Sequence, residues 1–355
     1  MAGLMKHSKI SLLRTQIPNN AQKNFTINNI KVWLIIVMIL LIAPGQLFAD
    51  QGFTETKEGN TTYYNQTDLK VYNEVTGYNI GSDESHIYSQ PSADAIFLQR
   101  ITGDLPSSIL GELIANGHVW VLNPNGVFIS KDASINTAGF LASSMVMEKD
   151  DFFSGKYNMV GEGSGGYVIN NGTINAGDEG YVVLVGASVA NNGTISADKG
   201  KVVMAAADKI SVDFYGDGLI NYALDEKTAA KIIGPDGSNL SSAVKNSGKI
   251  SAATVVMTAN AAKSVFESVV NNEGVIEAAS VYDNGCIQLL GGAEGNVINT
   301  GELSAKGNGA KIEIQSADDI TVDGIVVVDN DGTISIVADR DNNGSGNIYA
   351  GKSSQ

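Results

Sequence analysis

One short phrase, Asn-x-Gly-x-Ile-x-Ala, returns along the second half of the chain and constrains its fold more than any other feature. It reads Asn170-Asn171-Gly172-Thr173-Ile174-Asn175-Ala176, then Asn191-Asn192-Gly193-Thr194-Ile195-Ser196-Ala197, then Asn246-Ser247-Gly248-Lys249-Ile250-Ser251-Ala252. Weaker copies begin at Asn272, Asn299 and Asn330. The first two copies start 21 residues apart, and the last intervals are 27 and 31. Asn and Gly tolerate the left-handed backbone of a tight corner, so each copy is expected to open on a turn. Alternation follows, with Ile or Leu inward and Thr, Ser, Asn or Lys outward, the period of a half-buried strand. A second β run comes after it, at 181–185, 201–204 and 311–314, and often a third, at 209–213 and 320–323.

Several short strands and a corner within about twenty residues form one coil, which buries its apolar face only against neighbouring coils. The pattern predicts an all-β chain, a right-handed parallel β-helix (solenoid). Helical repeats do not fit, because the 3.6-residue period is absent, and a propeller blade of about 40 residues needs four strands. Two stretches interrupt the coils, at about 145–166 and 214–245, and are expected to stand off the coil as insertions. Residues of about 52–100 precede the clear repeats and are expected to cap the open sheet edge.

Composition agrees with a solenoid: 40 Gly, only 6 Pro, and 17% charged residues beside an ordinary 43% hydrophobic content. Residues 1–31 are basic and polar, 32–43 form an unbroken apolar run, Pro44-Gly45 breaks it, and a small residue, Ala49, follows Leu47-Phe48. This is the order of a secretory signal, so residues 1–49 are expected to be an extended signal peptide cleaved after Ala49. Its 12-residue apolar run is short for a membrane span. Without residues 1–49 the chain holds 18 basic and 38 acidic residues, net −20. A chain this acidic does not seek nucleic acid.

Residues that carry chemistry are sparse. Cys286 stands alone in an apolar run and reads as a small buried hydrophobe. Beyond the signal the histidines are His86 and His118, with no His–Cys cluster for zinc. Asp339-x-Asp341-x-Asn343-Gly344 starts like a calcium loop, but Ala350 stands where the bidentate Glu belongs, so a polar corner is expected. Gly161, Gly163 and Gly166 fit a dinucleotide pattern by letter but sit in no βαβ unit. Asp150-Asp151 and Asp318-Asp319 are read as surface corners rather than a hydrolase pair.

The block 98–127 carries Leu98-Gln99-Arg100-Ile101-Thr102-Gly103, then Ser108-Ile109-Leu110-Gly111, Asn116-Gly117, and Val121-Leu122-Asn123-Pro124-Asn125-Gly126-Val127. Gly139-Phe140-Leu141-Ala142-Ser143-Ser144 follows, and further stretches lie at 201–220 and 269–278. In this order, over roughly residues 55–340, the sequence resembles the haemagglutination-activity (TPS) domain of two-partner secretion exoproteins of the filamentous-haemagglutinin type. A second family tetrapeptide, Asn-Pro-Asn-Leu, is absent, and Val75 stands where a Trp is common.

The resemblance implies a secretion domain over 50–340, with 341–355 a last coil or the start of a passenger. It implies passage through the Sec machinery, then capture by an outer-membrane transporter with POTRA domains and a β-barrel, and β-helix folding outside the cell. It implies a secreted or surface adhesin, with a host-cell or surface receptor as a further partner, no cofactor and no enzymatic activity. Asn123, Pro124, Asn125 and Gly126 are the expected secretion and folding motif, supported by Arg100, Gly111, Asn116 and Gly117. The tetrapeptide reads by itself as a β-turn, which leaves two routes to secretion open: through folding, or through direct contact with the partner. Two rival readings are a β-helix carbohydrate-active enzyme and a self-associating surface or biofilm protein.

Overall fold

The computed structural model describes residues 52–162, 165–213, 221–226, 228, 231–262, 264–279, 284–329 and 331–351. The expected signal peptide and Ala49 lie outside them. Among the described residues, no helix is long and apolar enough to cross a membrane.

The chain winds into a three-sided parallel β-helix. Each side is a ladder of parallel strands, one per coil. The first face runs Thr61–Gln66, Ser85–Ser89 and Glu112–Ala115, continues through the first halves of the long strands Ser134–Ser143, Thr173–Gly186, Thr194–Ala206 and Lys249–Ala259, and ends in Val275–Ala279, Glu302–Lys306 and Ile325–Val328. The second face runs Lys70–Val75, Ile96–Ile101 and His118–Leu122, then the second halves of those long strands, then Cys286–Gly291, Lys311–Gln315 and Thr333–Val337. Nine shorter strands, Ser107–Ile109 to Ile348–Ala350, make the third face.

Inward residues stack along the axis as the alternation requires. Ile135, Ile174, Ile195, Ile250, Ile276 and Leu303 are in register on the first face, and each is fully buried. The N-terminal end of this interior is aromatic, with Tyr64 stacked on Tyr88 at 4.5 Å and Phe97 edge-on to both.

The corner at the end of the third face explains the repeated phrase. Asn170, Asn191, Asn246, Asn272 and Asn299 are all fully buried and stand one above another. Each Nδ2 donates to the Oδ1 of the next at 2.7–2.8 Å. An amide can donate and accept at once, so five buried polar side chains satisfy one another in a continuous chain. Ile129 precedes this ladder and Val322 follows it.

The glycine two residues on serves a different purpose from the one expected. None of Gly172, Gly193, Gly248, Gly274 or Gly301 has a positive φ. A Cβ on Gly193, Gly248, Gly274 or Gly301 would instead lie 2.0–2.1 Å from the carbonyl oxygen of the corner glycine one coil earlier. Close stacking of backbones, rather than a left-handed turn, excludes a side chain there.

Other expectations also need correction. The sixth copy is out of register: Thr333–Val337 pairs with Lys311–Gln315 on the second face, and the true equivalent of Asn299 is Val322, followed by Gly324. The span 52–100 is mostly coil, since only Phe53–Glu58 is antiparallel, pairing with Thr61–Gln66, and the strands from Thr61 onward are already in the parallel ladders. Lys209–Asp213 is no third-face strand; it joins an antiparallel sheet with Tyr157–Val160 and Asn221–Glu226. Cys286 is half-buried on the outward side of its strand, while Ile287 and Leu289 face the core; burial pushes its thiol pKa up.

The first extra segment, about 145–166, packs on the coil, while residues 214–220 of the second lie outside the described residues. A short helix, Lys149–Ser154, and the antiparallel sheet lie over the outer side of the second face. Phe152, Tyr157, Met159, Ile210 and Val212 form a second apolar core there with Leu98, Trp120, Leu141 and Val183. Trp120 is fully buried, edge-on to Tyr157 at 4.9 Å, and its Nε1 donates to the Tyr181 hydroxyl at 2.8 Å. Under this cover, from Ile96–Ile101 to the second half of Lys249–Ala259, both sides of the second face are apolar and its strands read as hydrophobic runs, whereas the later strands alternate.

His86 and His118 are enclosed, each with an Nδ1 that lacks a hydrogen-bond partner. Desolvation lowers both imidazoles from 6.5 to about 4. Between those values the unfolded chain binds more protons than the folded one, so stability rises with pH there. The contribution is complete above about pH 6.5 and is lost as pH falls toward 4. The melting temperature is expected to drop between pH 7 and pH 5, before the carboxylates titrate. The His86→Gln/His118→Gln variant, followed by circular dichroism, should lose most of that slope.

Candidate functional site

The Asn123–Gly126 tetrapeptide turns the chain from the second face, after His118–Leu122, to the third, before Val127–Ile129. The Gly126 N–H closes the turn on the Asn123 carbonyl at 2.9 Å, and Gly126 has a φ of +121, where a Cβ is disfavoured. Pro124 pre-sets φ at the first central position.

Asn123 is fully buried, and its amide is committed inside the protein. Nδ2 donates to the Leu105 carbonyl at 2.9 Å and to the Ser107 hydroxyl at 3.0 Å. Oδ1 accepts from the Asn125 N–H at 3.0 Å and from Asn125 Nδ2 at 3.2 Å. Asn125 Nδ2 also donates to the Gly103 carbonyl at 2.8 Å. Both side chains thus reach back to the same corner of the preceding coil. The Asn123 N–H donates forward to the Ser143 carbonyl at 2.9 Å. A Cβ on Gly166 would lie 2.1 Å from the Pro124 carbonyl oxygen, so the next coil packs tightly on the turn. Three successive coils meet here.

The supporting positions occupy other corners and are not gathered at the turn. Gly111 has no room for a Cβ, which would lie 2.2 Å from the Gly81 and Glu84 carbonyl oxygens. Asn116 pairs with the Gln90 backbone in both directions, accepting at 2.7 Å and donating at 2.8 Å. The Gly117 N–H donates to Gln90 Oε1 at 2.9 Å. Gln90 in turn donates to Gln66 Oε1 at 2.9 Å, forming an amide chain at that corner. Arg100 sits at the end of its second-face strand, where it donates to the Ile101 carbonyl and pairs loosely with Glu162 at 3.5 Å. Close by, the Tyr72 hydroxyl donates to the Met147 carbonyl at 2.7 Å, tying the covering segment to the coil.

Leu105, Ser107, Gln66 and Gln90 were not singled out from the sequence. The first two carry no motif of their own, and only the stacking of coils shows that the tetrapeptide grips them.

Among the described residues, no group of three or more His, Cys, Asp or Glu could hold a metal ion. In the acidic corner, the Asp339 carboxylate accepts the Gly344 N–H at 3.0 Å and Asp341 accepts Asn343 Nδ2 at 2.7 Å. Glu294, Asp318, Asp319, Asn343 and Ser345 line an open cleft of about 410 Å³.

Comparison with known proteins agrees with this architecture. The chain is 33% identical over 252 residues to a heme/hemopexin-binding protein of Haemophilus influenzae, covering 65% of this chain and 26% of that protein. The heme/hemopexin-binding protein of the Rd strain is 33% identical over 169 residues, covering 45% of this chain and 18% of its own length. The chain thus spans about a quarter or less of these relatives. The crystal structure of the HMW1 secretion domain from Haemophilus influenzae superimposes with a TM-score of 0.57 at 23% identity, over 83% of this chain and 87% of that one. The family model described as the TPS secretion domain matches residues 42–305, so the chain belongs to the TPS secretion domain family.

Proposed function

We propose that this chain is the export module of a two-partner secretion exoprotein. A signal over residues 1–49 takes it through the Sec machinery. An outer-membrane transporter, with POTRA domains and a β-barrel, captures it and passes it out. The β-helix then folds at or beyond the cell surface, where an adhesin would meet a host or surface receptor. The observation that carries this reading is the tetrapeptide turn, whose two side-chain amides staple one coil to the coil before it. Such a staple favours coil-by-coil growth, and folding outside the cell can bias movement of the chain outward.

The heme or hemopexin binding named for the relatives is not assigned to this domain. Of the two histidines among the described residues, His86 is buried and His118 is half-buried, each with an enclosed Nδ1. Nor does the domain resemble a carbohydrate-active enzyme at its acidic pairs. Asp150 and Asp151 lie in the first turn of the helix Lys149–Ser154 rather than at a corner, where Asp151 accepts from Asn158 Nδ2 at 3.2 Å, and Asp319 accepts from the Asn347 N–H at 2.9 Å.

Self-association of the β-helix is a second reading, in which the apolar end of the coil stack meets its like. Ile325, Val327, Ile334, Val337, Ile348 and Tyr349 are all exposed on the last coil. It requires concentration-dependent sedimentation.

The export reading is tested by expressing the chain in a heterologous Gram-negative host with and without the transporter encoded beside it. Appearance in the medium only with the transporter is expected. Equal release without it, or retention in the periplasm with it, overturns the reading.

A further inference from the structure

An asparagine followed by glycine can react with itself, because the glycine nitrogen reaches the asparagine side-chain carbonyl and no Cβ stands in the way. The chain holds seven such pairs, with the asparagine at 116, 125, 171, 192, 284, 308 and 343. The reaction needs a free glycine N–H, since the nitrogen must shed its proton and turn toward Cγ. In six of the pairs that N–H is already donated. Gly117 gives it to Gln90 Oε1 at 2.9 Å, Gly126 to the Asn123 carbonyl at 2.9 Å and Gly172 to Asn170 Oδ1 at 3.1 Å. Gly193 gives it to the Asn170 carbonyl at 3.2 Å, Gly285 to the Lys306 carbonyl at 2.9 Å and Gly344 to the Asp339 carboxylate at 3.0 Å. Asn308-Gly309 differs. These are the two central residues of a turn that the Ala310 N–H closes on the Gly307 carbonyl at 3.2 Å, and Gly309 has a φ of +77. Both residues are exposed, and neither the Gly309 N–H nor the Asn308 side chain has a hydrogen-bond partner among the described residues.

We infer that Asn308 is a site of spontaneous deamidation, selected from the seven pairs by the fold. The Gly309 nitrogen bonds to Asn308 Cγ, the Cγ–Nδ2 bond breaks, and the side-chain nitrogen leaves as ammonia with the proton that the Gly309 nitrogen gives up. Water then opens the succinimide ring at either carbonyl and leaves aspartate or isoaspartate at position 308. No enzyme, oxidant or metal is needed. Isoaspartate carries the backbone through the side-chain carboxyl and so lengthens the turn by a methylene. That turn joins Glu302–Lys306 of the first face to Lys311–Gln315 of the second, each held in register by its ladder. Either product also places a new carboxylate in the turn, where the Gly307 N–H already holds the Asp329 carboxylate at 3.1 Å. The reaction is one-way, so the altered fraction grows with the age of the molecule and loosens the coil that this turn closes.

The test incubates the folded chain in mildly alkaline buffer and follows all seven pairs by peptide mass mapping, with isoaspartate identified by fragmentation. Position 308 is expected to convert at least about tenfold faster than any other pair, because the others must first open locally. In urea the same seven pairs should convert at similar rates, which shows that the fold and not the local sequence makes the choice. Conversion spread evenly over the pairs in the folded chain, or fastest at another pair, overturns the inference. So does a preference for 308 that persists unchanged in urea. Asn308→Gln, whose longer side chain cyclises poorly, is the control for the consequence. Amide exchange over Lys311–Gln315 should rise with incubation in wild type and stay constant in Asn308→Gln. Equal exchange in the two would overturn the loosening of the coil.

Discussion

Gly248→Ala is expected to prevent the β-helix from closing over its middle coils, although Gly248 has an ordinary negative φ. The new Cβ would lie 2.0 Å from the Gly193 carbonyl oxygen and 2.8 Å from the Asn192 carbonyl carbon. Both neighbours are backbone, so relief requires the two coils to separate. The Lys249 N–H to Gly193 carbonyl bond at 2.9 Å and the Asn191–Asn246 amide bond at 2.8 Å both cross that gap. Steric insertion plus loss of a buried amide link amounts to more than about 3 kcal/mol. Gly237→Ala is the informative comparison. Gly237 has a φ of +81, the conformation usually held to demand glycine, yet nothing lies within 4 Å of its Cβ position. Only the left-handed backbone penalty applies, about 1 kcal/mol. Urea titration of the two variants should give a large loss for Gly248→Ala and a small one for Gly237→Ala. The reverse order would mean that corner conformation, not coil stacking, selects these glycines.

That contrast also marks how far the sequence could be read. The period-two alternation and the repeated phrase were enough to predict a parallel β-helix, because inward Ile174, Ile195 and Ile250 can only be buried against copies of themselves. The same phrase misled where it was matched by letters alone. Asn330-x-Gly332 looks like a sixth copy, but register is set by which residues pair, and the chain reaches that corner eight residues earlier, at Val322. The covering segment was legible as an interruption and illegible as a cover. Nothing local in Phe152 or Tyr157 says that they pack on Trp120, since that contact depends on the second face turning its outer side to them. Likewise Asn123 was recognisable as a turn residue, while its partners Leu105 and Ser107 lie one coil away and show no sequence signal.

Asn123→Ala is expected to destabilise the folded domain and reduce export together. The substitution removes an amide that fills four hydrogen-bonding roles in a fully buried position. The Leu105 carbonyl, the Asn125 N–H and the buried Ser107 hydroxyl are left without that partner. At about 1–2 kcal/mol for each buried group so stranded, the loss is about 3 kcal/mol. The effect should be local before it is global. Amide exchange is expected to rise first at the Ser107 N–H, which donates to Gly126, and at the Gly126 N–H, which closes the turn. Pro124→Ala keeps every side-chain bond of the staple and loses backbone restriction and the buried contacts of the ring, so it should lower stability by about 1–2 kcal/mol, less than Asn123→Ala, and leave export near wild type. Measuring melting, exchange and export on the same variants separates the two routes by which the motif could act. If export falls with loosening of the 103–107 loop, the turn works through the structure it holds. If Asn123→Ala abolishes export while exchange at Ser107 and Gly126 is unchanged, the side chain is read directly, which requires a partner that meets the chain before this coil has formed.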